Sequence, residues 1–233
     1  MKKKLYLPDV TLLAATSSEV DAAQVSMRIS LHNIKFGASK LLCSSPPNKK
    51  YPDIEYVTIP SLNSVDDYNE IIFQHLHKYF ETSHCLIVQA DSFVVNSDLW
   101  KDEFLNFDYI GGPWPDEIKI NPNLILNLKK NPVGNGGFSL RSQKLVKATS
   151  KINFKKLNFP MKAEDVVICY YLYQDMIKNG ICFAPPKLAA EFSMENVDNL
   201  YGQNENSVFG FHGKHLREHF VKKYVLRAAI GEW

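Results

Sequence analysis

The chain predicts an α/β fold: a mostly parallel, doubly wound sheet flanked by helices. Three observations carry this expectation. Short apolar runs alternate with helically spaced apolar residues up to about residue 90, the signature of βαβ units. The apolar run Leu86-Ile87-Val88 stops abruptly at Gln89-Ala90-Asp91 before a second apolar run begins. No Pro-, Gly- or Ser-rich linker divides the 233 residues, which are enough for one domain with a sizeable core. The domain is expected over residues 1–213, with a basic amphipathic tail over 214–233.

Val10–Thr16 (VTLLAAT) reads as a buried strand, and Ser17-Ser18 as a cap for a helix over residues 19–36. There Val20, Ala23, Met27, Leu31 and Ile34 recur at helical spacing. Lys40–Ser44 is a second strand, stopped by Pro46-Pro47, and Ile54–Ile59 a third, ending at Pro60. Ser64 to Phe80 is the clearest helix: Ser64 and Asp67 form a capping box, and Tyr68, Ile71, Ile72, His75, Leu76, Tyr79 and Phe80 make one apolar face. Cys85–Gln89 is the fourth strand. Beyond it the pattern loosens. Tyr109–Pro115 (YIGGPWP) is rich in turn residues, and residues 116–132 are polar and Asn-rich, as in a lid or binding loop. Gly134–Gly137 then leads into the strand-like Phe138-Ser139-Leu140 and a helix from Ser142 to about Ala148. Asp165–Ile177 is apolar nearly all round, which predicts a central, buried helix.

Composition excludes several classes. Hydrophobic content of 45% and charged content of 22% are those of an ordinary globular protein. A net charge of +2 argues against nucleic acid as a partner of the whole molecule. The positive excess lies in residues 214–233, which carry five Lys or Arg against two Glu. The four cysteines (Cys43, Cys85, Cys169, Cys182) form no CxxC pair and read as reduced core thiols. Pro8 and Asp9 interrupt the start of the chain, so no signal peptide is expected, and no apolar run reaches transmembrane length. These features point to the cytoplasm. His75 is expected on the packed helix face, with His77 and His84 solvated.

Four pieces can carry chemistry. A carboxylate at the end of an apolar strand is expensive to bury, so Asp91 is expected in a cleft, where open α/β sheets bind ligands. Hard cations such as Mn²⁺ or Mg²⁺ need one or two such carboxylates when substrate phosphates supply the rest. Glu164-Asp165 opens the apolar helix and would present a general base to the cleft, although carboxylates also favour helix N-termini for electrostatic reasons. Gly134-Asn135-Gly136-Gly137 lets the backbone approach a ligand closely, yet matches neither dinucleotide nor P-loop patterns. In Phe209–Lys214 (FGFHGK), His212 offers an imidazole to a metal and Lys214 an ammonium to phosphates.

In this order, the strand ending in QAD, YIGGPWP, VGNGGFSLR, the Glu-Asp helix start and the late FGFH resemble the DUF5672 family, which is similar to nucleotide-sugar glycosyltransferases of the GT-A fold. The resemblance runs from about Leu7 to His212. It implies a GT-A-like domain in which Gln89-Ala90-Asp91 takes the place of the DxD motif and Asp91 that of its metal-binding last Asp. It further implies that Asn135, Gly136 and Gly137 line the donor-sugar and acceptor pocket, that Glu164-Asp165 is the acidic pair supplying the base of inverting enzymes, and that His212 completes the metal site. One departure stands out: Gln89 replaces the first DxD carboxylate, and an amide adds no charge to a metal.

The expected function is therefore transfer of a sugar from a nucleoside diphosphate-sugar to the hydroxyl of a saccharide or glycolipid, assisted by Mn²⁺ or Mg²⁺, in surface polysaccharide or glycoconjugate synthesis. Asp165 is the expected base with Glu164 as its alternate, while Thr16, Ser17, Gln89 and Lys214 help seat the nucleotide. A non-catalytic nucleotide-sugar or saccharide-binding module is the alternative that Gln89 keeps open. A nucleotidyltransferase fits less well, because AATSSEVDAAQ after the first strand holds neither glycine nor a basic residue. Read as a helix, residues 214–229 place Leu216, Phe220, Val221, Tyr224, Val225 and Ala228 on one side, for packing on the core or for contact with the inner face of an anionic membrane.

Overall fold

The computed structural model describes residues 4–195 and 200–229. In chain order its elements begin with β1 (Leu5–Ala15), α1 (Val20–Asn33), β2 (Ile34–Cys43), β3 (Glu55–Thr58) and α2 (Val65–Glu70). Then come β4 (His84–Val88), β5 (Ser92–Val94), β6 (Tyr109–Ile110), the hairpin β7 (Glu117–Asn121) and β8 (Leu124–Asn127), and β9 (Phe138–Ser142). The remainder holds α3 (Gln143–Thr149), α4 (Glu164–Val166), α5 (Tyr173–Lys178), α6 (Pro186–Phe192), β10 (Ser193–Met194), β11 (Gly210–His212) and α7 (Lys214–Ala229).

Six strands form the central sheet in the order β3-β2-β1-β4-β9-β6. The first four run parallel, and β9 lies antiparallel between β4 and β6. The middle strands are apolar on both faces, as a sheet covered by helices on each side requires. Leu12 and Leu86 point into one core with Met27 and Leu31 of α1. Their neighbours Leu13 and Ile87 point into the other, with Ile72, Leu76 and Phe80. Burial of each such side chain contributes about 1.5–3 kcal/mol. A small second sheet, β10-β11-β5, stands beyond the open end of β4.

Several sequence expectations need correction. The helix expected to residue 36 ends at Asn33, because Ile34 turns extended and β2 starts at once, pairing with Leu5 of β1. Strand pairing there overrides a helical apolar spacing that Ile34 satisfies in either state. After the capping box of Ser64 and Asp67, α2 continues as a π-turn (Ile71–His75) and a 3₁₀ turn (Leu76–Lys78) instead of one uniform helix. Residues 116–132 are no irregular loop: β7 pairs with β8, and Leu126 and Leu128 are buried. The expected central helix over 165–177 is α4, a π-turn (Val167–Tyr171) and α5, with a break at Leu172. Only one side of it is buried, since Ile177 is 42% exposed.

Cys43, Cys85 and Cys169 are buried free thiols, but Cys182 is exposed. His84, expected in solvent, is buried and bonds the Ser83 hydroxyl and the Phe107 carbonyl through its two ring nitrogens. His77 is half-buried. In α7, Leu216 and Phe220 are buried beside Phe93, Val208 and Phe211, so the first turns of the tail dock on the small sheet. The side chains of Tyr224, Val225 and Ala228 lie outside the described residues. No helix among the described residues is long and apolar enough to cross a membrane.

Candidate active site

Because β1 and β4 are neighbours and parallel, their C-terminal ends open on the same edge of the sheet. A cleft of about 500 Å³ lies there, lined by Thr16, Ser17, Glu19, Tyr68, Gln89, Asp91 and Lys214. Five of these were singled out from the sequence. The Thr16 hydroxyl accepts the Glu19 amide at 3.1 Å, and the Ser17 hydroxyl accepts the Leu62 amide at 2.8 Å. Both hydroxyls thus shape the rim and keep a proton to donate. Lys214 arrives from the far end of the chain. Gly213, with φ of 128°, makes the sharp bend between β11 and α7, and its N–H donates to the Asp91 carbonyl at 3.1 Å.

A polar chain forms the inner wall. The Gln89 amide donates to the Tyr68 hydroxyl at 2.7 Å, and its carbonyl oxygen lies 3.1 Å from His212 Nε2. That nitrogen is 3.5 Å from Asp91 Oδ1, and His212 Nδ1 is 3.6 Å from Glu195 Oε1. Burial opposes charge on this imidazole, but Glu195 and Asp91 together hold His212 above its ordinary value. A divalent cation suits these donors: Asp91 offers a hard oxygen and His212 a nitrogen. No cluster of three or more His, Cys, Asp or Glu forms a ready-made cage among the described residues. A seat of two ligands is one that substrate phosphates complete. Charge argues the same way, since Lys214 is the one Lys or Arg among the described residues lining the cleft, against Glu19 and Asp91.

The glycine segment links this wall to the acidic pair. Asn135 adopts a left-handed backbone (φ 58°), and its side-chain oxygen accepts the Gly137 amide at 3.2 Å. The Gly136 amide donates to Asp165 Oδ2 at 2.8 Å, while Asp165 Oδ1 accepts the Val166 amide at 2.8 Å. A Cβ at Gly136 would meet Glu164 at 2.1 Å, and one at Gly137 would meet the His212 ring at 2.3 Å. Only glycine fits between these groups.

Glu164 and Asp165 have different surroundings. Glu164 is buried, and both its oxygens are held by Arg141, at 2.6 and 2.8 Å. Burial works against charge on Arg141, but the facing Glu164 carboxylate keeps the guanidinium protonated. Asp165 is half-buried, and among the described residues each of its oxygens accepts one backbone amide. Arg141, Tyr68 and Glu195 were not assigned to the site from the sequence. Tyr68, one turn after the Ser64 cap, gave a usable signal; Glu195, after a two-residue strand, gave none.

The family model of DUF5672, described as a protein of unknown function, matches residues 52–212, and the chain belongs to this family. No curated protein matches it. Among solved structures it is similar to the apo-form glycosyltransferase GlyE of Streptococcus pneumoniae TIGR4, with 10% identity and a TM-score of 0.51 over 95% of this chain and 60% of that one. A glycosyltransferase involved in glycosylation of the major capsid of PBCV-1 shares 12% identity, with a TM-score of 0.46 over 91% of this chain and 98% of that one. The mannosyltransferase PcManGT of Pyrobaculum calidifontis, in complex with GDP-Man and Mn²⁺, shares 10% identity, with a TM-score of 0.47 over 80% of this chain and 57% of that one. At 10% identity the GlyE likeness is one of fold: the mixed, mostly parallel, GT-A-like architecture expected from the sequence.

Proposed function

We propose that this chain is a glycosyltransferase that moves a sugar from a nucleoside diphosphate-sugar to an acceptor hydroxyl with inversion, in the synthesis of a surface polysaccharide or glycoconjugate. The observation that carries the reading is the juxtaposition of Asp91, His212 and Lys214 at the cleft with Asp165 across the Gly136-Gly137 pair. Thr16 and Ser17 seat the nucleotide, and Asn135, Gly136 and Gly137 border the sugar. Asp91 and His212 would hold Mn²⁺ or Mg²⁺, which when bound neutralises charge on the departing diphosphate. Lys214 adds a fixed positive charge there. Asp165 takes the acceptor O–H proton as the new O–C bond forms at the anomeric carbon and the bond to the diphosphate oxygen breaks. Glu164, held by Arg141, serves this reading as an anchor of the helix that presents Asp165.

A binding module without turnover is the second reading, favoured by Gln89 standing where a second carboxylate would raise the charge of a metal seat. The two readings separate in one experiment. Nucleotide-sugar consumption and thermal shift are measured side by side, with and without Mn²⁺, across a panel of donors and saccharide acceptors. Mn²⁺-dependent release of nucleoside diphosphate supports the transferase; stabilisation by a nucleotide sugar with no release supports the module.

An acceptor carried on lipid would bring the chain to an anionic membrane surface. The apolar residues Leu216 and Phe220 are taken up by the core, so such contact would use the exposed basic side of α7, including Lys222. Salt-sensitive liposome binding that Lys222→Glu weakens supports this; no binding by the wild type excludes it.

A further inference from the structure

The parallel pair β10–β11 sets Ser193 opposite Gly210 and Met194 opposite Phe211, so the same register brings Glu195 beside His212. On the other flank β11 runs antiparallel to β5, with His212 opposite Ser92 and therefore next to Asp91. Three strand ends thus line up carboxylate, imidazole and carboxylate. His212 Nε2 faces Asp91 Oδ1 at 3.5 Å, and Nδ1 faces Glu195 Oε1 at 3.6 Å. The ring lies against Gly137, where a Cβ would meet it at 2.3 Å. His212 Nδ1 and Glu195 Oε2 are both buried, with no hydrogen-bond partner among the described residues.

An imidazole that binds a cation through one nitrogen keeps its proton on the other, and a carboxylate or carbonyl behind it fixes that tautomer. We propose that Glu195 is a positioning residue: its carboxylate holds the proton on His212 Nδ1, so that Nε2 presents its lone pair to a divalent cation shared with Asp91. The inference rests on the metal-assisted reading of the cleft. When both ring nitrogens are protonated, Nε2–H donates to the Gln89 carbonyl oxygen at 3.1 Å. A cation held there by Asp91 and Nε2 would take the place of that proton, which leaves to solvent, and the Nδ1 proton would stay between His212 and Glu195. Glu195 is not among the residues that line the cleft.

The test uses the full chain as wild type, Glu195→Ala and Glu195→Gln, with Glu195→Leu in place of the Ala variant if that one does not fold. Long-range ¹H–¹⁵N spectra of metal-free protein, above the His212 titration, report which ring nitrogen carries the proton. Wild type and the Gln variant, whose amide oxygen still accepts, should show Nδ1–H; the Ala or Leu variant should shift toward Nε2–H. Mn²⁺ binding, read by electron paramagnetic resonance without nucleotide, should weaken about 10–100-fold in the Ala or Leu variant and recover in the Gln variant. Unchanged tautomer and Mn²⁺ affinity in a folded Ala or Leu variant overturn the proposal. A wild type that binds no Mn²⁺ overturns the metal reading of the cleft, and the spectra then still decide whether Glu195 fixes the ring.

Discussion

Asp165 and His212 flank adjacent glycines of one strand entry: Asp165 Oδ2 accepts the Gly136 amide at 2.8 Å, and the His212 ring lies where a Cβ of Gly137 would stand. The proposed base and the proposed cation seat are therefore spaced by a single peptide unit. Substitutions on either side of that unit should separate proton transfer from donor binding.

Asp165→Asn keeps the shape of the side chain and removes its basicity. Turnover should fall by about 10²–10⁴, the usual scale for a general base, while donor affinity measured by calorimetry stays near the wild-type value. A large loss in Glu164→Gln alongside an active Asp165→Asn would reverse the two roles.

Asp91→Ala should abolish transfer and weaken Mn²⁺-dependent binding of nucleoside diphosphates in a protein whose melting curve remains cooperative. Wild-type turnover in this variant would remove the cleft at Gln89–Asp91 from the mechanism.

On the proposed reading the buried pair of Arg141 and Glu164 belongs to the scaffold. Arg141→Met leaves a desolvated carboxylate without its partner and should destabilise by about 3–5 kcal/mol in urea unfolding. The double variant Arg141→Met, Glu164→Leu should recover most of that loss. Equal destabilisation by the single and double variants would count against the pair.

Gly137→Ala presses a methyl group into the His212 ring. Overpacking of this kind costs about 1–3 kcal/mol. Mn²⁺ affinity should drop with stability, whereas an isosteric change at the exposed Val25, Val25→Thr, should leave both unchanged. A Gly137→Ala protein with normal Mn²⁺ binding would show that His212 is free to move aside.

Protonated His212 is favoured by folding, because its two carboxylate neighbours raise it above its ordinary value of 6.5. The stabilisation is fully present below that value and is lost as pH rises through the raised one. In chelator-treated protein, the stability advantage of wild type over His212→Gln should be largest below pH 6.5 and shrink as pH rises above it. An advantage that grows with pH would contradict the raised value. On the proposed reading Mn²⁺ would compete with a proton on His212, so its affinity should climb over the same range.

Much of this was legible in the sequence because it is local. The capping box at Ser64 and Asp67 needs four residues, and the stop at Gln89–Asp91 needs six. The hairpin at 117–127 also left a trace, in the alternation of Ile118 and Ile120 with Leu124 and Leu126, which polar neighbours obscured. The burial of His84 was not legible, since it depends on Val10 alongside and on a carbonyl from Phe107. Glu195 escaped for the same reason: a two-residue strand has no period to read, and its meaning comes from a register with β11. Ile34 fits a helix face and a strand face equally, so only pairing with β1 decides between them.

The buried Ser92 hydroxyl deserves a last consequence. It accepts the backbone N–H of Gln89 at 2.7 Å and donates to the Gly137 carbonyl at 2.7 Å, just past the final β4–β9 rung between Val88 and Phe138. Where two halves of a reaction centre ride on separate lobes, a ligand must draw them together and forfeit entropy in doing so. Here the stitch is made by the chain itself, so on the proposed reading a donor's free energy of association would go into contact instead of assembly.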